Sequence, residues 1–180
     1  MIRIIGGKYR GKRLKKVPSI RVRPMPDKLK ESLFSIIQDD LRGSLFLDGF
    51  AGTGSVGLEA LSRGAETVIF IDEMYQAVKV IKTNIAKVEA GESARVIHME
   101  FNRAVIRLAK EEAKFDLIFL DPPYKLLETR NPLKVIKKRE ILADGGKIIL
   151  RKFFKTKFDG KYFALQKQVR IGDDTLLFYQ

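Results

Sequence analysis

Lys114-Phe115-Asp116-Leu117-Ile118-Phe119-Leu120-Asp121-Pro122-Pro123-Tyr124 is an apolar run that stops on a carboxylate, two prolines and an aromatic ring. The run is too apolar for a face in water and reads as a buried parallel strand. Proline has no N–H for a sheet ladder, so Pro122 and Pro123 end the strand and hold the next peptides extended. Asp121 and the Pro122 carbonyl then stand as acceptors at the strand's carboxyl end, with the Tyr124 ring beside them. That set suits an amino group on a flat ring: two acceptors take its N–H protons, its lone pair points outward, and the tyrosine stacks. The same four residues also suit an ordinary turn, because Asp and Pro favour turn geometry. The rest of the chain has to decide.

Upstream, strands and helices alternate. Leu45-Phe46-Leu47 is a short strand ending at Asp48, and Ser55 to Arg63 is a helix stopped by Gly64. Thr67 to Ile71 is a second strand, Tyr75 to Val88 a helix with Val78, Ile81, Ile85 and Val88 as its stripe, and Ala94 to His98 a third strand. A helix over Asn102–Ala113 leads into the strand Phe115–Leu120, and a short helix at Pro132–Lys138 into a fifth strand, Lys147–Leu150. This alternation predicts an α/β fold, a parallel sheet with right-handed crossovers and helices on both faces. Tyr162–Ile171 and Thr175–Tyr179, separated only by Gly172-Asp173-Asp174, read as a closing antiparallel hairpin.

The first strand-to-helix turn carries Gly52-Thr53-Gly54-Ser55-Val56-Gly57, a literal G-x-G-x-x-G with Asp72 about 20 residues on. A dinucleotide oxidoreductase would carry the same pattern. Asp48 argues against it, since a carboxylate at the strand tip repels a pyrophosphate seated on the helix N-terminus. S-adenosylmethionine has no phosphate and a cationic amino acid tail. On this reading the Gly52–Gly54 backbone passes its methionine part, Asp48 acts on its cationic side, and Asp72 accepts from the ribose hydroxyls. Glu100 and Phe101, after the third strand, border the adenine.

The 180 residues are expected to form one compact unit in two parts, a basic arm with a docking helix over 1–41 and a catalytic domain over 42–180. No cysteine is present, which excludes disulfides and a thiolate nucleophile, and the single His98 can build neither a zinc site nor a Ser-His-Asp triad. No resident metal is expected. The formal charge of +13 points to a polyanionic partner. It concentrates near the amino end, where Arg3, Lys8, Arg10, Lys12, Arg13 and Arg23 are the candidate RNA contacts and Tyr9 stands between charges. Short β segments at Arg3–Ile5 and Leu14–Val17 suggest a hairpin. Asp27 can cap a helix from Lys28 to Asp40 whose Leu29, Leu33, Ile36 and Ile37 dock the arm. No signal peptide is visible, and no apolar stretch approaches the roughly 20 residues of a membrane span. A cytoplasmic monomer is expected.

Asp48-Gly49-Phe50-Ala51-Gly52-Thr53-Gly54 followed by Gly57-Leu58-Glu59-Ala60-Leu61-Ser62-Arg63-Gly64-Ala65 resembles the RsmD family, bacterial enzymes that methylate guanine N2 in 16S ribosomal RNA. Arg3-Ile4-Ile5-Gly6-Gly7, Lys8-Tyr9-Arg10-Gly11-Lys12, Arg23-Pro24 with Asp27, and Lys30-Glu31-Ser32-Leu33-Phe34 carry the same resemblance. It implies a class I methyltransferase (Rossmann-like) sheet of seven strands, mostly parallel, with the last strand antiparallel. It also implies S-adenosylmethionine as donor, Phe50 and Ala51 within the cofactor turn, and Asp121, Pro122, Pro123 and Tyr124 as the target-base site. The substrate would be 16S RNA, free or in the assembling small subunit. The chain departs from the family pattern at Met25-Pro26, at Glu100, and at Arg151, which follows the fifth strand where an acid is common. A DNA methyltransferase acting on adenine N6 or cytosine N4, and a non-catalytic RNA-binding assembly factor, are the competing readings.

Overall fold

The computed structural model describes residues 2–18 and 24–180, apart from the side chains of Tyr124 and Glu128. The amino end forms a two-residue ladder in which β1 (Ile2–Arg3) pairs antiparallel with β2 (Arg13–Leu14), Ile2 opposite Leu14. This is the expected hairpin, ending three residues earlier on its second side. Helices α1 (Asp27–Ile36) and α2 (Gln38–Leu41) replace the single helix expected over 28–40. The break falls at Ile37, whose φ of −101° and ψ of 10° turn the axis. Ile37 and Leu41 both point into the core as a result. Asp27 is not the cap: Pro26 holds that place, and Asp27, inside the first turn, accepts from Arg3 Nε at 3.1 Å.

The main domain then alternates: β3 (Leu45–Gly49), α3 (Ser55–Ser62), β4 (Thr67–Asp72), α4 (Tyr75–Val88), β5 (Ala94–His98), α5 (Phe101–Lys110) and β6 (Phe115–Leu120). After β6 come α6 (Tyr124–Thr129), α7 (Pro132–Arg139), β7 (Leu142–Phe153), β8 (Leu165–Ile171) and β9 (Asp174–Tyr179). The short α6 fills what reads in the sequence as loop. Strand β7 begins five residues before the expected Lys147, with a register shift opposite Phe115–Leu117 that absorbs Ala143–Gly146.

The seven strands lie in the order β5-β4-β3-β6-β7-β9-β8. Strands β3 to β7 run parallel, and β9 enters antiparallel between β7 and β8. The order in which successive strands are added reverses between β3 and β6, while the two strands remain parallel. Because side chains alternate along a strand, each central strand feeds two cores. Phe46, Val68, Phe70, Leu117, Phe119 and Ile149 pack on one face with α1, α3 and the arm residues Ile2, Ile4 and Leu14. Leu47, Ile69, Ile71, Ile118, Leu120 and Ile148 pack on the other, with α5 and α7. No helix of the described residues is long and apolar enough to cross a membrane.

Candidate active site

The order reversal leaves a crevice at the carboxyl ends of β3 and β6, the place where open α/β sheets bind ligands. Asp48 and Asp121 stand on its two sides. The register explains why they meet: Gly49 lies opposite Leu120, and Asp121 N–H reaches Gly49 O at 3.4 Å.

The glycine turn rises from β3 with three successive departures from ordinary backbone. Phe50, Gly52 and Gly54 all adopt positive φ, at 65°, 56° and 75°. It is tied down on both sides. Ala51 N–H bonds to Ile71 O at 2.9 Å, and Gly52 N–H to Asp72 Oδ2 at 2.8 Å. The other Asp72 oxygen accepts from Met74 N–H at 2.8 Å. Gly57 lets α3 lie close to the sheet, since a Cβ there would come within 2.3 Å of the Phe70 ring. Asp48, only 1% exposed, accepts from Gly57 N–H at 2.8 Å. An internal carboxylate therefore occupies the first turn of α3, the donor site on which a dinucleotide's pyrophosphate would rest. Burial pushes the Asp48 carboxyl well up from its ordinary pKa; the Gly57 N–H opposes this, and Asp121 and Asp72 add to it. Burial also raises Asp72, against its two N–H donors. An enclosed set of acids of this kind favours a cationic ligand.

At the tip of β6, Asp121 Oδ2 accepts from Arg151 Nη1 at 2.8 Å. Arg151 lies within β7, one register step after Leu120 and Leu150 pair, and its Nε donates to Asp174 Oδ1 on β9 at 2.9 Å. The Arg151 side chain is 6% exposed, whereas 22% of the Asp121 side chain meets solvent. Pro122 is buried and Pro123 exposed, leading directly into α6. Tyr124 starts that helix; its side chain lies outside the described residues.

Two candidates sit differently from the sequence reading. Phe101 is 3% exposed and belongs to the core, stacked on Phe50 with ring centroids 4.7 Å apart and beneath Gly49. Its partner Phe50 is the more accessible ring. Glu100 caps α5, accepting from Arg103 N–H at 3.2 Å, and pairs with Arg130 at 3.4 Å. A cavity of about 720 Å³ lies at the far end of the sheet, beside Lys114, Leu142 and Gly146, away from all of these groups.

With this geometry in view, comparison with known proteins is informative. Residues 2–180 match the family model described as "Conserved hypothetical protein 95". The chain is 40% identical over 148 residues (82% of this chain, 80% of the relative) to the "Putative rRNA methyltransferase YlbH" of Bacillus subtilis. It is 37% identical over 149 residues (82% and 72%) to "Ribosomal RNA small subunit methyltransferase D" of Escherichia coli K12. The chain belongs to the RsmD family. Among solved structures, the "Putative methyltransferase yhhF from Escherichia coli" superposes with a TM-score of 0.83 at 29% identity, covering 99% of this chain and 97% of that one. The class I methyltransferase fold expected from the sequence is thus the fold of this RsmD-family chain.

The basic arm of the RsmD-family chain is fixed by its backbone and leaves its cations outside. Glu59, fully buried on α3, accepts from Ile5 and Gly6 N–H, each at 2.8 Å, from Arg63 Nε at 2.8 Å and faces Lys30 Nζ at 3.4 Å. Lys8 N–H bonds to Ser62 O, and Tyr9 N–H to Ser62 Oγ. Asn84, buried on α4, holds Lys15 by both N–H and C=O and donates its third bond to Thr53 O in the glycine turn. Arg3, Lys8, Arg10, Lys12 and Arg13 are exposed, with Lys8 Nζ 4.7 Å from the Tyr9 ring centre. Arg23 lies outside the described residues. Lys30, by contrast, is 1% exposed and faces inward. Burial lowers its pKa despite the pull of Glu59. The contacts that Glu59, Asn84, Arg151 and Asp174 make escape the sequence reading. The one signal at Asn84 is a polar residue between Ile81 and Ile85 on a buried stripe.

Proposed function

We propose that this chain transfers a methyl group from S-adenosylmethionine to the exocyclic N2 of a guanine in 16S ribosomal RNA, acting in the cytoplasm on the RNA or the assembling small subunit. The observation that carries the reading is the Asp121 carboxylate, partly open to solvent at the tip of β6 and directly across the crevice from the glycine turn. Family membership supports the substrate class, and relatives named as small-subunit RNA methyltransferases support the small subunit. Guanine N2 rests on the family resemblance.

The residues fit the donor. The turn of Gly52 and Gly54 brings backbone close to a ligand, and Asp48, Asp72 and Asp121 suit a cationic rather than a phosphorylated one. When bound, S-adenosylmethionine supplies an electrophilic methyl on a positively charged sulfur. Phe50, Ala51, Gly52, Thr53 and Gly54 line its methionine part. Asp72 keeps a lone pair on each oxygen for the ribose hydroxyls. Glu100 and the Phe50–Phe101 pair edge the adenine. Asp121 and the Pro122 carbonyl accept the two amine hydrogens, leaving the nitrogen lone pair aimed at the methyl. Were the methyl to pass to that nitrogen, the C–S bonding pair would stay with sulfur, the Asp121 carboxylate would face the nitrogen as it turned cationic, and the amine proton would pass to solvent. Positioning and the negative Asp121 are the main catalytic contributions. Tyr124 supplies stacking for a base taken out of its helix. The arm over 1–41 grips phosphates through Arg3, Lys8, Arg10, Lys12, Arg13 and Arg23, and the domain over 42–180 does the chemistry as a monomer.

The test is incubation with methyl-labelled S-adenosylmethionine and free 16S RNA, assembled small subunit or duplex DNA, followed by mapping of the labelled nucleotide. Label on guanine N2 of 16S RNA is expected. Label on adenine or cytosine of DNA would replace the substrate assignment, and cofactor binding without label on any acceptor would leave a non-catalytic RNA-binding protein.

A further inference from the structure

We infer that Arg151 is a positioning residue for methyl transfer: its guanidinium, pinned by Asp174, fixes the Asp121 carboxylate in one rotamer and keeps it ionised as the base closes the crevice. The inference rests on the proposed role of Asp121. A carboxylate at the mouth of a methyl-transfer site loses water when a flat base stacks over it, and a desolvated carboxylate tends to protonate. Once protonated it no longer supplies the negative charge that stabilises a nitrogen turning cationic. The groups facing Asp121 are Asp48 on β3, Arg151 on β7 and Asp174 on β9. The acids among them disfavour its charge, and Arg151 is the cation opposing them. Burial raises the Asp121 carboxyl above its ordinary pKa, and Arg151 limits that rise. For Arg151, burial works against its charge but the two aspartates outweigh it and push its pKa up.

The geometry also divides the carboxylate's labour. Oδ2 is taken by Nη1 at 2.8 Å, while Oδ1 has no donor among the described residues. One oxygen is anchored to the sheet and the other accepts the amine. Arg151 is itself held at Nε by Asp174 at 2.9 Å, so the anchor cannot swing toward the substrate. Asp121 therefore acts as a charged acceptor that orients the amine, with its basicity spent on the guanidinium.

The experiment is a double-mutant cycle with single-turnover methylation of 16S RNA, using Arg151→Met, Asp121→Asn and the pair. Asp121→Asn keeps an acceptor oxygen but has no charge for Arg151 to protect. Arg151→Met is expected to slow transfer by about 100-fold in the native background and to move the acidic limb of the pH–rate profile to higher pH. In the Asp121→Asn background the same change should alter the rate by no more than about twofold. Arg151→Lys, which keeps a cation without the fork, should leave the acidic limb in place, and it serves as the test variant if Arg151→Met loses its thermal transition. An equal loss in both backgrounds, an acidic limb that stays in place with Arg151→Met, or one that moves as far with Arg151→Lys as with Arg151→Met, overturns the inference while leaving Asp121 as the site. Full transfer by Asp121→Ala overturns the underlying reading instead.

Discussion

Glu59 and Asp121 are both acids set among buried groups, yet they are held in opposite ways. Glu59 is fully buried and meets four donors, two backbone N–H groups of the arm together with Arg63 and Lys30. Among the described residues Asp121 has one donor, Arg151, on one oxygen, and 22% of its side chain remains open. A carboxylate whose lone pairs are all satisfied inside the protein is part of the framework. One that is anchored by a single oxygen and faces a crevice is ready for a ligand. The two regions differ accordingly: the arm's anchor is filled by the protein's own donors, whereas the tip of β6 keeps a partly open carboxylate toward the crevice.

The largest effect should come from breaking the complete site. Glu59→Ala leaves Lys30 buried without its partner and frees two arm N–H groups, and it should cost about 3–5 kcal/mol in urea unfolding. A loss below about 1 kcal/mol would remove Glu59 from the framework. Asp121→Ala should do the reverse. Methyl transfer falls by about 100- to 1,000-fold, while the thermal midpoint and the affinity for S-adenosylhomocysteine stay near those of the native chain. A fall in stability like that of Glu59→Ala would erase the contrast.

The arm offers a smaller effect. Replacing Arg10, Lys12 and Arg13 together by Ala should weaken RNA binding and flatten its salt dependence, with each lost phosphate contact lowering the log–log slope by about 0.7–0.9. Turnover at saturating RNA should not change, since the arm's anchors are backbone groups. An unchanged salt slope would place the RNA elsewhere. The smallest effect belongs to an exposed acid. Glu111, on the surface between Arg95 and Arg107, has its carboxyl held down to about 2, first by the Arg95 bond. Its folded pKa is depressed, so any stabilisation is present above the ordinary carboxylate pKa and fades as pH falls toward 2. Solvent screening limits it: Glu111→Gln should change stability by less than about 1 kcal/mol at neutral pH, measured by the same unfolding series.

The parts of this molecule legible in its sequence are those that local pattern dictates. The alternation of apolar runs with amphipathic stripes is sufficient for the parallel sheet, and Gly172-Asp173-Asp174 for the closing hairpin. The β3 turn and the proline-terminated β6 also read correctly, because glycine and proline act on their own backbone. Partners from distant segments are another matter. Arg151 meets Asp121 only because β7 pairs with β6 in one register, and Lys30 turns inward only because α1 packs against Glu59. A one-residue slip of β7 against β6 would send Arg151 to the other face of the sheet. Phe101 reads as an adenine neighbour from its place after β5; its stack on Phe50 and its burial depend on a partner from a distant turn. Ile37 breaks a helix that propensity would continue, because packing of Leu41 outweighs a few tenths of a kcal/mol in preference.

The account depends on the donor's methyl and the Asp121 carboxylate sharing one crevice. A crystal structure of the full chain with S-adenosylhomocysteine measures this most directly. The expected result is a sulfur facing Asp121 Oδ1 and the Pro122 carbonyl, with the amino acid tail along Gly52–Gly54 and the ribose hydroxyls at Asp72. A sulfur directed away from the tip of β6, or the ligand seated in the cavity beside Lys114 and Gly146, would contradict it.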